Sequence, residues 1–439
     1  MISNEHKKIA QHAMEYALKN GAQACRVNIS ASTDTSFEMR DKQLDRLSQS
    51  SENSMSIELY VDGRYGSVSS NKVNKEDIER LIKNGIDSTR FLAEDPFRKL
   101  PDASLYYKGG KPDLQLVDKK QDSVSPDQKL NLAKAVINDV YGTDDRIIST
   151  ESSFADGNYF TYKIASNGFE GESGSTWYSL GGSVALKTEG DARPSGYWYE
   201  SELFFDELKK SGIGKIALER GLKKLGQTKI KSGKYQMLID NLNGGRLLSP
   251  MISALSGGAL QQKNSFLIDK IGSKIGSDKF TLIDNPHLIK SRGSRYFDYE
   301  GIATQKRTVY DAGVLKTYFI DTYNALKMNT QPTISGSSLL EMQSGSKDFA
   351  SILKGIKSGI YVSGFNGGNS NPTTGDFSFG IEGFLIENGE LTQPINEMNV
   401  TGNMITLWAN LVEVGNDPRL SSSWRIPTLL FSDVNFSGL

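Results

Sequence analysis

Five turn signals punctuate this chain and limit the folds open to it: Asp62-Gly63, Asp156-Gly157, Asn167-Gly168, Ala312-Gly313 and Asn388-Gly389. Such pairs accept the left-handed backbone that tight hairpins require, and antiparallel strands follow from them. The flanking residues fit. Met55, Ile57, Leu59 and Val61 alternate ahead of Asp62-Gly63, and "RTVYDAGVLKTYFID" and "GFLIENGELTQPI" read as further hairpins. Between these runs the apolar period lengthens to that of a helix. Residues 4 to 19 carry Ile9, Ala13 and Ala17 on one row and Met14 and Leu18 on another, with Asn20-Gly21 as the stop. Ile78, Leu81, Ile82 and Ile86 repeat the pattern. Ser125-Pro126 opens a helix over 126–140, and another is predicted over 211–225.

Helices and strands do not alternate as βαβ units, so the fold class expected is α+β with antiparallel sheets. Three units are predicted: 1–105, 118–228 and a larger C-terminal domain over 229–439. Residues 96–126, rich in Pro, Gly, Lys and Asp without periodicity, read as the connection between the first two.

Several classes of function are disfavoured. The net charge is −1, so no overall basic footprint invites nucleic acid. The lysines from Lys223 to Lys234 are the nearest approach to one, and they read as a solvated linker. No stretch approaches the ~18 apolar residues of a membrane span, and "MISNEHKKIA" lacks the apolar heart of a secretory leader. The one cysteine, Cys25, shares a strand face with Val27 and Ile29 and reads as a buried, inert thiol. A cytoplasmic location is expected.

A zinc site needs imidazoles, carboxylates or thiolates around one ion. Only His6, His12 and His287 are available. The first two lie about 240° apart around their helix, and no His-Glu-x-x-His or His-Glu-x-x-x-His motif occurs. A serine nucleophile elbow is approached by "GESGS" at 171–175, which ends in Ser175 rather than Gly. Ser-x-x-Lys occurs three times (Ser69, Ser344 and Ser351) without its companion motifs. "NGGNSNPTTGDFSFG" at 366–380 lacks phosphate-loop spacing and reads as a glycine-rich loop beside a strand. Nearby, Asp376, Glu382 and Glu387 could do acid–base work only if burial split their titrations.

The stretch "RLLSPMISALSGGAL", residues 246–260, is harder to place. Leu247, Met251, Ala254 and Leu255 form a core-facing helical stripe. Ser249, Ser253 and Ser256 form a second, polar one, and hydroxyls in a row bind no metal by themselves.

"FDYEGIATQKRTVYDAGVLKTYFID" (297–321), "GDFSFGIEGFLIENGEL" (375–391) and "GNDPRLSSSWRIPTLL" (415–430), with "YVDGRYGSVSS" (60–70), resemble the TldD/PmbA family, also called modulator of DNA gyrase. The resemblance covers nearly the whole chain and makes residues 229–439 a TldD/PmbA-type domain. Gly375, Asp376, Gly380 and Gly383 belong to its signature loop. The family implies two kinds of subunit. The TldD kind carries His-Glu-x-x-x-His and a later cysteine and is a zinc peptidase; the PmbA or TldE kind lacks the motif. The resemblance sets "LSPMIS" at the motif's place. Leu248 and Ser253 then stand for the histidines, Ser249 for the glutamate, and Ser422 marks the cysteine region. It further implies no zinc in this chain, zinc in a TldD-like partner, and a heterodimer acting on unfolded peptides. The chain alone is expected to lack peptidase activity and could pair with itself. Leu248, Ser249, Ser253 and Ser422 are expected to line the cavity or the partner surface. A self-sufficient hydrolase using carboxylates or serine, and a regulatory protein linked to gyrase, stand as alternatives.

Overall fold

A computed structural model describes all 439 residues. The amino-terminal half is built on one long sheet. Its strands are β1 (Ala24–Arg40), β2 (Gln43–Val61), β3 (Arg64–Ser70), β4 (Ile147–Ala165), β5 (Phe169–Leu186) and β6 (Ser195–Glu202). They lie in the order β3-β2-β1-β4-β5-β6, and every neighbour is antiparallel. The regions 1–105 and 118–228 therefore share one sheet, joined where β1 pairs with β4. Four helices cover it: α1 (Asn4–Lys19), α2 (Lys75–Thr89), α3 (Pro126–Asn138) and α4 (Ile213–Leu222).

The strands are long enough to serve two cores. Cys25, Val27 and Ile29 at the start of β1 pack under α1 and α2 with Met55, Ile57, Leu59 and Val61. Phe37 and Met39, at its far end, pack under α3 with Phe154, Tyr178 and Leu180. Local chemistry sets the helix ends. Ser3 Oγ accepts from the His6 N–H ahead of α1, and Ser125 and Gln128 form a capping box ahead of α3. In α1 the buried row is Ala10, Ala13 and Ala17, whose small side chains let the helix lie close to the sheet; the predicted Leu18 is exposed instead.

Four of the five predicted turns close strands. Asp62-Gly63, Ala312-Gly313 and Asn388-Gly389 have positive φ at both residues, the backbone of a two-residue hairpin. Asn167-Gly168 joins β4 to β5. Asp156-Gly157 is the exception: it lies inside β4, and Gly157 pairs with Asp34 of β1 and Trp177 of β5. A Cβ there would lie 2.5 Å from the Thr33 carbonyl oxygen and 2.8 Å from Trp177 Nε1. Close packing, and not chain reversal, demands that glycine. Asp156 is buried beside it, 2.7 Å from Lys129 Nζ.

The C-terminal domain contains β7 (Gly233–Ile239), α5 (Gly244–Ser253), α6 (Gly257–Gln261), β8 (Leu282–Asp284), β9 (Arg307–Asp311), β10 (Val314–Leu315), α7 (Thr322–Lys327), β11 (Leu340–Met342), α8 (Phe349–Lys354), β12 (Ser358–Phe365), β13 (Asn369–Ser370), β14 (Asp376–Glu387), β15 (Glu390–Asn403), α9 (Met404–Ala409), β16 (Leu411–Val414), β17 (Trp424–Arg425) and β18 (Leu429–Ser437). Its main sheet closes on itself. β12 pairs with β7, β7 with β18, β18 with β15, β15 with β14, and β14 returns to β12. Closure removes the free edges that an open sheet would leave. A smaller sheet runs β10-β9-β8-β11-β17. Trp408 is fully buried between them, stacked on Phe280 with centroids 4.2 Å apart.

The segment between α2 and α3 does more than connect. Tyr106 bridges to Ile302, Ala303 N–H donates to the Leu105 carbonyl, and Lys290 N–H donates to that of Leu114. It thus ties the long sheet to the C-terminal domain. The basic run after α4 is pinned as well. Lys224 meets Glu382 at 2.7 Å, Lys229 meets Glu397 at 3.2 Å, and Lys234 meets Asp433 at 2.8 Å. The run is solvated, as expected, with Lys223, Lys229, Lys231 and Lys234 exposed; only the Lys224–Glu382 pair is shielded from solvent.

Candidate functional site

Helix α5 begins where Asp240 turns the chain. Its Oδ1 accepts from the Leu242 and Asn243 N–H groups, and its Oδ2 accepts from Tyr361 Oη at 2.7 Å. A Cβ on Gly244 would sit 2.8 Å from Ile426, so the helix start presses against the chain just past β17. The apolar stripe is as expected: Leu247, Met251, Ala254 and Leu255 are essentially inaccessible and join the main core. Ser249 and Ser253 are exposed on the opposite side. With Ser256 they line a cavity of about 450 Å³ whose far wall is Gly368, Asn369, Ser370 and Phe379. The glycine-rich loop does lie beside a strand, and it faces α5.

Leu248 does not belong to that cavity. It is 0% exposed and part of the core, about 100° around the helix from Ser249. Ser422 is not on the cavity wall either; its Oγ accepts from the Trp424 N–H. Of the four positions named from the motif, the structure brings Ser249 and Ser253 together and leaves Leu248 and Ser422 elsewhere. One lining residue escaped sequence reading. Arg246 donates from Nη2 to the Gly368 carbonyl at 2.6 Å, and its guanidinium lies 4.5 Å from the centre of the Phe379 ring. No carboxylate pairs with it. A lone arginine before an apolar helix gives no pattern to search for.

The donor set does not fit zinc. Leu248, Ser249 and Ser253 offer an alkyl side chain and two alcohols, where a zinc site needs imidazoles, carboxylates or thiolates. No group of three or more His, Cys, Asp or Glu side chains elsewhere is arranged to hold a metal ion. His12 Nε2 contacts Glu79 at 2.7 Å between α1 and α2. His287 contacts Thr304 Oγ1 at 3.0 Å in a turn, and burial pushes its titration down.

The signature loop has structural roles at Gly375, Asp376 and Gly383. Gly375 has φ +80° and packs on Phe266. Asp376 is exposed, accepts from Asn403 and Thr374, and is held below the usual carboxylate range by those bonds. Gly380 has room for a side chain, whereas a Cβ on Gly383 would lie 1.9 Å from the Tyr361 carbonyl oxygen at a bulge. Asp376, Glu382 and Glu387 are spread along β14 and form no paired acid and base.

A second polar centre sits where the long sheet meets the C-terminal domain, around a cavity of about 670 Å³. Arg26 and Glu58 form a buried pair at 2.6 Å, and Tyr299 Oη donates to Glu58 at 3.0 Å. Burial, helped by Asp298, pushes the Glu300 carboxyl up to about 7. Burial, helped by Arg26, pulls Lys163 down to about 8. Sequence reading missed this centre because its members lie on four separate segments.

An α+β chain with a long shared sheet, a closed C-terminal barrel and a serine-faced helix over a cavity has the scaffold of a metallopeptidase family. The chain belongs to the PmbA/TldD family. Residues 25–89, 119–225 and 232–438 match domain 1, the central domain and the C-terminal domain of the PmbA/TldA metallopeptidases. It is 27% identical to the metalloprotease PmbA of Escherichia coli O157:H7, over 98% of this chain and 97% of that one. A Bacteroides thetaiotaomicron structure named for modulation of DNA gyrase shares 62% identity over the whole of both chains, with a TM-score of 0.98. TldE of Thermococcus kodakarensis shares the fold: TM-score 0.83 at 18% identity, covering 98% of this chain and all of that one. No helix is long and apolar enough to cross a membrane.

Proposed function

We propose that this chain is the non-catalytic, PmbA/TldE-type subunit of a zinc peptidase whose TldD-like partner carries the metal. The observation that carries the reading is the chemistry of α5: Leu248 is sunk in the core, and of the three motif positions only Ser249 and Ser253 reach the cavity, which Arg246 lines beside them. Neutral alcohols cannot hold zinc in place of imidazoles, nor take the proton that a glutamate would. The helix, its cavity and the loop opposite are nevertheless kept, which suits a wall of a shared chamber for unfolded peptide. The homologues named TldD and TldE support pairing of two such chains. A cytoplasmic site fits a chain whose lone cysteine is a free, buried thiol.

The first test is elemental zinc analysis of the purified, untagged chain after dialysis against zinc. The reading expects no stoichiometric zinc and no peptidase activity from this chain alone. It expects chelator-sensitive cleavage of an unfolded peptide after co-expression with a TldD-like chain. Stoichiometric zinc with cleavage by this chain alone, or a pair that neither associates nor cleaves, would overturn it.

A further inference from the structure

A third cavity, of about 370 Å³, lies between β5 and the loops of the C-terminal domain. All four residues of the run Arg292-Gly293-Ser294-Arg295 line it, and no carboxylate does. Gly293, at φ +89°, folds this run beneath Ser338 and Ser423, whose atoms would lie 2.8 and 2.9 Å from any Cβ there.

Neither arginine is in an ion pair. Arg292 donates from Nε to the Ser421 carbonyl at 3.2 Å and from Nη2 to Ser201 Oγ at 2.9 Å. Arg295 donates from Nε to Ser338 Oγ at 2.9 Å and from Nη2 to the Gly336 and Ser337 carbonyls at 2.6 and 3.0 Å. Each keeps its Nη1 without an acceptor. The acids that face them make no ion pair with either. Asp284 Oδ1 accepts from the Ser338 N–H, its Oδ2 has no partner and burial pushes its titration up, and Asp298 accepts from the Glu300, Ile302 and Ser335 N–H groups. Glu202, nearest Arg292, is pushed towards its neutral form by burial. Burial disfavours both guanidinium charges, so each gains from an added anion.

A second observation points the same way. Ser294 is 5% exposed, lines this cavity, and its Oγ has no hydrogen-bond partner. A buried hydroxyl without a partner costs stability, and one left in a cavity with two incompletely used arginines awaits an acceptor. The rest of the wall is mixed: Leu116, Leu203 and Trp177 form an apolar side, and hydroxyl residues including Ser175, Thr176 and Ser337 complete it.

We propose that this cavity binds a small organic carboxylate. The Nη1 groups of Arg292 and Arg295 and the Ser294 hydroxyl take the two oxygens, and the apolar body lies against Leu203 and Trp177. Guanidinium matches the planar carboxylate, and charge-assisted bonds of this kind gain in a dry site. Inorganic phosphate would leave the apolar wall unused. The inference is independent of the reading of the serine cavity.

The test uses the full chain at constant ionic strength. N-acetyl-leucine, its carboxamide and inorganic phosphate are titrated by calorimetry and by tryptophan fluorescence, with Trp177→Phe identifying the reporting residue. Saturable binding of the acid is expected, with the amide and phosphate at least about tenfold weaker. Arg292→Gln should weaken the acid by about tenfold or more. Ser294→Ala should weaken it with no loss of Tm, because the hydroxyl it removes has no partner in the free chain. No saturable binding, equal binding of the amide, preference for phosphate, or full affinity in both variants would overturn the assignment.

Discussion

Installing the zinc motif in this chain should fail at Leu248, and the cost can be worked from the structure. Leu248→His replaces a side chain that is 0% exposed and enclosed by the main core. Losing that burial removes about 2–3 kcal/mol. The imidazole brings a donor and an acceptor into a region of aliphatic and aromatic neighbours, and leaving one unpartnered costs about 1–3 kcal/mol more. The expected loss is about 3–6 kcal/mol, a large share of the stability of an ordinary domain. Ser249→Glu and Ser253→His, both exposed, should each change stability by about 0.5 kcal/mol or less. Urea unfolding of the three single variants and the triple variant, with zinc analysis of each, separates these terms. The triple variant should lose what Leu248→His loses and hold no stoichiometric zinc. If it unfolds like the wild type and carries one zinc per chain, residue 248 swings into the cavity and the core assignment is wrong. Equal losses at positions 248 and 253 would refute the division of α5 into two faces.

Glu300→Gln tests the junction between the two halves. A carboxyl whose folded-state titration is raised from the ordinary glutamate range to about 7 holds its proton longer when folded. Its contribution to stability is therefore present at acid pH and lost as pH rises from about 4.5 to 7. The loss is at most about 3 kcal/mol, and the difference between Glu300→Gln and wild type should shift in the variant's favour by that order between pH 5 and 7.5. Parallel stability curves across that range would dismiss it. Gly383→Ala should cost about 2–4 kcal/mol in denaturant unfolding, since a Cβ would overlap the Tyr361 carbonyl oxygen; Gly380→Ala, whose nearest contact is 3.7 Å, should cost less than about 1 kcal/mol. Cys25, buried with its thiol pushed up to about 12, should resist a thiol reagent at pH 8 in the native chain and react at once in denaturant.

What could be read in advance followed from local rules. The Ser125 cap, the two-residue hairpins at residues 62, 312 and 388, and the apolar row of α5 depend on residues within a turn or two of one another. What could not be read depends on neighbours far along the chain. Asp156-Gly157 has the composition of a turn, yet its glycine answers to Thr33 and Trp177 on the flanking strands. The buried group around Glu58 draws on Arg26, Lys163, Tyr299 and Glu300, and nothing local marks any of them as buried.

The motif helix combines both cases. Resemblance supplies the positions of the missing ligands, 248, 249 and 253, but direction around a helix is set by which side meets the core. Residues 249 and 253, four apart, share a face; residue 248 precedes them by one step and points elsewhere. A leucine there makes core contacts that an imidazole would give up. Leucine at 248 therefore anchors α5 in the core by packing alone. The opposite face gives a concrete discriminator between a lapsed enzyme and a dedicated partner. Ser249→Ala and Ser253→Ala should leave folding intact. If the exposed hydroxyls serve the shared chamber, the assembled pair should show a raised KM for unfolded peptide with kcat little changed. An unaltered KM would leave α5 as scaffold alone.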